Sequence, residues 1–297
     1  MTGIIFDLKR FAVHDGNGLR STLFLKGCPL RCPWCQNPEG LVPQQMLWYR
    51  PNVCLQCGSC VSACRQNALS FADRVHVDHS ACIRCGMCVD ACPAAALELV
   101  GREITAQEAA KELLRDQVFF GENGGVTLSG GEVLSQWQFA AEVLGICKEA
   151  GVDTAIETCL LAPQSAMEAM LPVTDHFIVD IKYLDADTHR RYLGADNRQI
   201  LQNFRWLLEK GAKILVRTPL IPGYTATEEN IRNIARYLRE TAPQVPYELL
   251  NFNPLCRSKY AAMEQDYPVS GGALSSQEME TYYEILSQEG IIHIVKE

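Results

Sequence analysis

Cys28, Cys32 and Cys35 stand at Cys-x3-Cys-x2-Cys spacing in this chain, with Trp34 immediately before the third. Three thiolates so spaced can hold three irons of a [4Fe–4S] cube. A complete cube takes four cysteine ligands, so a fourth iron is left open to bind a substrate. An open iron separates a catalytic cluster from a plain electron carrier. The competing reading is a zinc knot. Three unevenly spaced cysteines without a nearby fourth ligand suit tetrahedral zinc poorly.

Two further cysteine runs follow. Of the 14 cysteines, 11 fall in the three runs, and Cys147, Cys159 and Cys256 stand apart. The second run is Cys54-x2-Cys57-x2-Cys60-x3-Cys64, and the third is Cys82-x2-Cys85-x2-Cys88-x3-Cys92 followed by Pro93. This is the bacterial two-cluster ferredoxin pattern, in which the last cysteine of each run ligates the other cluster. It predicts one cube on Cys54, Cys57, Cys60 and Cys92, and another on Cys82, Cys85, Cys88 and Cys64. Four-cysteine zinc ribbons would not explain the small residues between ligands or the closing proline.

The elements that must position these groups alternate in type. Ser21–Lys26 reads as a strand ending at the first cysteine loop, and the cysteine-dense stretch occupies 48–100. Thr105-Ala-Gln-Glu108 is a capping box opening a helix predicted to reach Phe120. Strands at Val126–Leu128, Thr154–Glu157, His176–Lys182, Lys213–Thr218 and Tyr247–Phe252 each precede a helix; Ser275 opens the last. Strands alternating with helices imply a parallel α/β sheet. About six units suit a partial (βα)6 TIM-like barrel over 1–47 and 101–297, interrupted by a small α+β insert at 48–100. An open doubly wound sheet is the structural alternative.

Barrel chemistry gathers where strands end, and polar residues stand there: Gly130-Gly131-Glu132, Glu157-Thr158, Asp180 with Lys182, Arg217, and Asn251 with Asn253. Two glycines let a backbone approach a ligand, although Gly-Gly-Glu alone is an ordinary tight turn. Asp180 and Lys182 share one side of a strand, facing a cavity or forming a salt bridge. Arg217 is a planar donor suited to a carboxylate. Cys147 reads as a core thiol, Cys159 as a buried small residue near the site, and Glu228–Glu240 as a solvated helix face.

Composition bounds the remaining classes. The chain has 297 residues, 47% of them hydrophobic, enough for a large core and an insert. A net charge of −8 and no basic run argue against a nucleic-acid partner. No apolar run reaches membrane-spanning length, and the first residues lack signal-peptide features, so a cytoplasmic location and reduced thiols are expected.

Together these residues resemble the activating enzymes of glycyl radical enzymes, within the radical S-adenosylmethionine superfamily. The resemblance covers nearly the whole chain. It rests on the three-cysteine loop, Asp15-Gly-Asn-Gly-Leu-Arg20, Gln36-Asn-Pro-Glu39, Gly124–Glu132, Asp180-Ile-Lys182 and Arg217–Gly223. It implies that an electron entering the Cys28 cluster cleaves S-adenosylmethionine to methionine and a 5′-deoxyadenosyl radical. That radical then takes a hydrogen atom from a backbone glycine of a partner enzyme. It implies further that Trp34, Gly130, Gly131 and Glu132 lie against S-adenosylmethionine, with Glu132 at its amino end. Lys182 and Arg217 would engage its carboxylate and ribose, and Glu157, Thr158 and Asp180 would flank a monovalent cation. A flavodoxin or ferredoxin would supply electrons to a monomer. Two residues depart from the family pattern: Asn17 stands where proline is usual, and Asn253 where many members carry a histidine. The rival functions are a radical enzyme acting on a small molecule or peptide, and a ferredoxin-type carrier.

Overall fold

The computed structural model describes residues 1–296. Seven strands run parallel: β2 (Arg20–Leu25), β8 (Gly125–Gly130), β9 (Asp153–Thr158), β10 (His176–Asp180), β11 (Ile214–Leu220), β12 (Tyr247–Asn251) and β13 (Ile294–Val295). β1 (Thr2–Ala12) lies antiparallel outside β2, and β7 (Arg102–Thr105) antiparallel outside β1. From β8 to β13 the strand order is sequential, without the reversal that defines a doubly wound sheet. The order is that of a barrel wall. Among the described residues, the edge strands β7 and β13 do not pair with each other, so the wall stays open.

The central strands are buried on both faces, which is why they read as continuous apolar runs rather than alternations. Helices α3 (Ala106–Leu114), α4 (Trp137–Glu149), α5 (Gln164–Met170), α7 (Arg198–Glu209), α8 (Glu228–Thr241) and α10 (Ser276–Gln288) cover the wall outside, while α6 (Ala186–Leu193) and α9 (Arg257–Ala262) pack beside the cysteine loop. Both predicted capping boxes form, at Thr105 with Glu108 and at Ser275 with Glu278. α8 shows why a charged helix is not wholly solvated. Ile231, Ile234, Ala235 and Leu238 fall on one stripe and enter the core, while its charges face out.

Several elements differ from expectation. α3 stops at Leu114 instead of Phe120, because Asp116 is drawn off by Arg10 at 2.5 Å and Ser21 at 2.6 Å. α6 and α9 carry no expected counterpart. β1, which the sequence reading did not place as a strand, is 11 residues long.

Between the barrel's first strands and β7 lies the cysteine-dense segment. β3 (Met46–Tyr49) pairs antiparallel with β6 (Leu97–Val100), closing its base two residues before the predicted boundary at 48. A second hairpin joins β4 (Leu69–Phe71) to β5 (Val75–Val77), and two short helices, α1 (Ser59–Ala63) and α2 (Met87–Asp90), carry central cysteines. The segment repeats itself. Left-handed backbone at Gln56, Gly58 and Asn67 recurs at Arg84, Gly86 and Ala95, at the 28-position offset that separates Cys54 from Cys82. Likewise the amide of Ala68 donates to Cys64 Sγ at 3.3 Å, and that of Ala96 to Cys92 Sγ at 3.2 Å.

Candidate functional site

A cavity of about 660 Å³ opens at the carboxyl ends of the parallel strands. The barrel residues expected to bind the cluster or the cofactor all border it: Cys28, Cys32, Trp34, Cys35, Gly130, Gly131, Glu132, Glu157, Asp180, Lys182, Arg217 and Asn253. Thr158 and Asn251 border it as well, as do Asp15, His14 and Cys159. Cys147 sits instead in the hydrophobic core, and Cys256 is buried outside the cavity.

The cysteine loop is built by backbone bracing. Gly27 donates to Gly40 O at 2.7 Å, Gly131 to Leu25 O at 2.8 Å and Glu132 to Gly27 O at 2.7 Å. A Cβ on Gly131 would stand 2.4 Å from Gly27 O and Gly40 O, and one on Gly130, at φ +117°, 2.4 Å from the Leu25 backbone. The glycines therefore serve the packing of chain on chain.

Glu132 is 1% exposed and its carboxylate is already occupied. It accepts from Leu134 N at 3.0 Å, Thr158 Oγ1 at 2.6 Å and Cys159 N at 2.7 Å. Arg217 differs most from the sequence reading, which named no protein partner for its guanidinium. Nε donates to Glu248, Nη1 to Glu157 at 2.7 Å and Nη2 to His14 O at 2.8 Å. Glu248 is the partner that sequence reasoning missed. Its signal was a lone carboxylate inside the otherwise apolar Tyr247–Leu250, since a charge in a core strand requires a counter-charge. Glu157 also accepts from Ser129 Oγ at 2.5 Å. Although 26% of its side chain faces the cavity, burial pushes its carboxyl up to about 7 against the pull of Arg217.

Lys182 and Asp180 meet at 2.7 Å, so the pair is a salt bridge and a cavity wall at once. Burial favours the neutral amine, but the Asp180 carboxylate outweighs it and holds Lys182 charged. Asn253 is exposed at the rim, where its Oδ1 accepts from Leu255 N at 3.0 Å and caps a short turn. Trp34 packs against Tyr224 at 5.2 Å and Tyr183 at 6.3 Å, forming an aromatic wall beside the loop.

In the inserted segment the cysteines sort crosswise. Cys64, Cys82, Cys85 and Cys88 line one recess of about 310 Å³. Cys54, Cys57, Cys60 and Cys92 line a much tighter one of about 10 Å³. All 14 cysteines are free thiols. Among the described residues, no three His, Cys, Asp or Glu side chains converge tightly enough for a single metal ion. Among the same residues, no helix is long and apolar enough to cross a membrane.

The radical SAM superfamily model matches residues 22–238. The chain is 37% identical to the choline trimethylamine-lyase activating enzyme of Oleidesulfovibrio alaskensis, over 93% of this chain and 92% of that one. It is 38% identical to the trans-4-hydroxy-L-proline dehydratase activating enzyme of Clostridioides difficile, over 90% of both. It is also 38% identical to the benzylsuccinate synthase activating enzyme of Thauera aromatica, over 90% of this chain and 84% of that one. Streptococcus suis SuiB shares the fold, at 15% identity and a TM-score of 0.51 over 65% of this chain and 43% of its own. With its three-cysteine loop set in a cavity at the strand ends, the chain belongs to the radical SAM superfamily and, within it, to the activating enzymes of glycyl radical enzymes.

Proposed function

We propose that the cavity is the S-adenosylmethionine site and that 46–100 is a two-cluster ferredoxin-like insert feeding it electrons. The activity itself follows from the family. When bound, the Cys28 cluster supplies the electron that cleaves S-adenosylmethionine, and the resulting 5′-deoxyadenosyl radical takes a hydrogen atom from a glycine of a partner glycyl radical enzyme. The observation that carries the site reading is the convergence of Cys28, Cys32, Cys35, Lys182 and Arg217 on one cavity.

Each residue has a stated task. Cys28, Cys32 and Cys35 would hold three irons and leave one facing the cavity. Lys182, kept charged by Asp180, is the cation placed to receive the cofactor's carboxylate. Arg217 orients Glu157 and Glu248 and, from the cavity wall, would lie near the cofactor's carboxylate and ribose. Glu132 ties the cysteine loop to β9 through Thr158 and Cys159, presenting backbone rather than a free carboxylate to the amino end. Glu157, Thr158 and Asp180 offer oxygens for a monovalent cation. The open wall between β7 and β13 gives a partner's loop a way in.

The insert reading rests on the crosswise cysteine sets and the 28-position repeat. Residues 1–45 and 101–297 then form the catalytic barrel. A flavodoxin or ferredoxin is the donor that such an insert would accept, and a monomer suffices for the site. Relatives at 37–38% identity serve a lyase, a dehydratase and a synthase, so the partner is assigned by class alone.

Lys182→Ala tests the site. It removes a charge-assisted hydrogen bond typically worth about 1.5–3 kcal/mol, so S-adenosylmethionine should bind roughly 10- to 100-fold more weakly at unchanged iron content. Isothermal titration under anaerobic conditions measures this. Unaltered affinity would leave the Asp180–Lys182 pair with a structural role only.

A further inference from the structure

The insert joins the barrel through its two chain ends, where Gln45 Nε2 donates to Gly101 O at 2.7 Å. That attachment alone would let it rock about its base. The polar contacts that reach from the barrel into its middle converge on Glu264. Glu264 Oε2 accepts from Val77 N at 3.0 Å, Oε1 pairs with His76 Nδ1 at 3.1 Å, and Arg74 stands 3.9 Å away. The site is well shielded, with the carboxylate side chain 17% exposed. Its backbone sits in left-handed conformation at φ +57°, just after α9. A glycine would fit there without strain, so the side chain is what this position uses.

The same few residues hold the catalytic loop. Tyr260 Oη donates to Cys35 O at 3.2 Å, and Lys259 Nζ donates to Gln36 O at 3.0 Å and pairs with Glu39 at 2.6 Å. Residues 259–264 thus grip the Cys35 side of the catalytic loop at one end and β5 of the insert at the other. β5 lies against both cysteine sets: Val75 borders the Cys54 recess, and Cys82 N donates to Asp78 O just beyond the strand.

We propose that Glu264 is a positioning residue that fixes the insert against the catalytic loop and so sets the electron-transfer geometry between their clusters. This rests on reading the insert as an electron relay. Tunnelling falls steeply with distance, so a rocking insert would transfer slowly even with every cluster intact.

The test compares the anaerobically reconstituted full chain with Glu264→Gly, which suits the backbone, and Glu264→Gln. Iron content and S-adenosylmethionine affinity should match wild type in both. In Glu264→Gly, hydrogen exchange over β4–β5 should rise and the magnetic interaction between reduced clusters should weaken in electron paramagnetic resonance. Cleavage driven by a flavodoxin should slow several-fold, while cleavage driven by titanium(III) citrate should stay near wild type. Glu264→Gln, which keeps an acceptor for Val77, should fall between. Unchanged exchange, unchanged magnetic interaction and unchanged flavodoxin-driven rate in Glu264→Gly would overturn the proposal. A Cys85→Ala control separates the two ideas. A wild-type flavodoxin-driven rate there would refute the relay reading, and the exchange data would still decide whether Glu264 clamps the insert.

Discussion

Replacing Cys28, Cys32 and Cys35 together by alanine should abolish S-adenosylmethionine cleavage and lower bound iron from about twelve to about eight per chain. The argument is one of ligand sets. The three thiolates border the barrel cavity, whereas the eight insert cysteines line two recesses of their own. Losing one set removes no ligand from the others, so the insert clusters should keep their spectra. Iron analysis with Mössbauer spectroscopy on anaerobically reconstituted protein reads both quantities. Wild-type iron near four per chain, or zinc in the insert, would refute the three-cluster assignment. Residual cleavage in the triple variant would move the chemistry away from this loop.

Arg217→Ala should be the most damaging single change outside the cysteines, and the damage should register first in stability. Arg217 and Glu248 are both nearly buried, with side chains 8% and 9% exposed, and the same guanidinium also holds Glu157. Removing one partner of a buried pair leaves an uncompensated charge and typically costs about 3–5 kcal/mol. The expected result is a large downward shift of the anaerobic urea midpoint at fixed iron load. Arg217→Lys should recover only part of it, because a lysine cannot aim donors at two carboxylates and a carbonyl at once. An unchanged midpoint with weakened S-adenosylmethionine binding would instead make Arg217 a direct ligand of the cofactor.

That contrast shows what the sequence could and could not convey. Strand ends bearing Glu132, Glu157, Asp180 and Arg217 were visible because a βα alternation forces them to one rim, and all four border the cavity. Whether Arg217 was free depended on Glu248, its register partner on the neighbouring strand, which is a tertiary fact. The three cysteine runs could be read directly, because their spacing is a local property of the chain. The short bridge α9 could not, because six residues after Pro254 carry too little periodicity to announce a helix. β1 was hidden for a related reason. Its charged Asp7, Lys9 and Arg10 mask the strand near the sheet's edge, where alternate positions face solvent. The helix predicted to Phe120 failed at Asp116, where Arg10 and Ser21 outbid local propensity.

The central claim is that this chain makes a radical on another protein. The direct measurement mixes the reconstituted enzyme, a reductant and S-adenosylmethionine with a candidate glycyl radical enzyme, and records the electron paramagnetic resonance spectrum. The account predicts a glycyl doublet that requires S-adenosylmethionine and vanishes in Cys32→Ala. A doublet that survives Cys32→Ala, or no doublet with any glycyl radical enzyme encoded by the host, would contradict it.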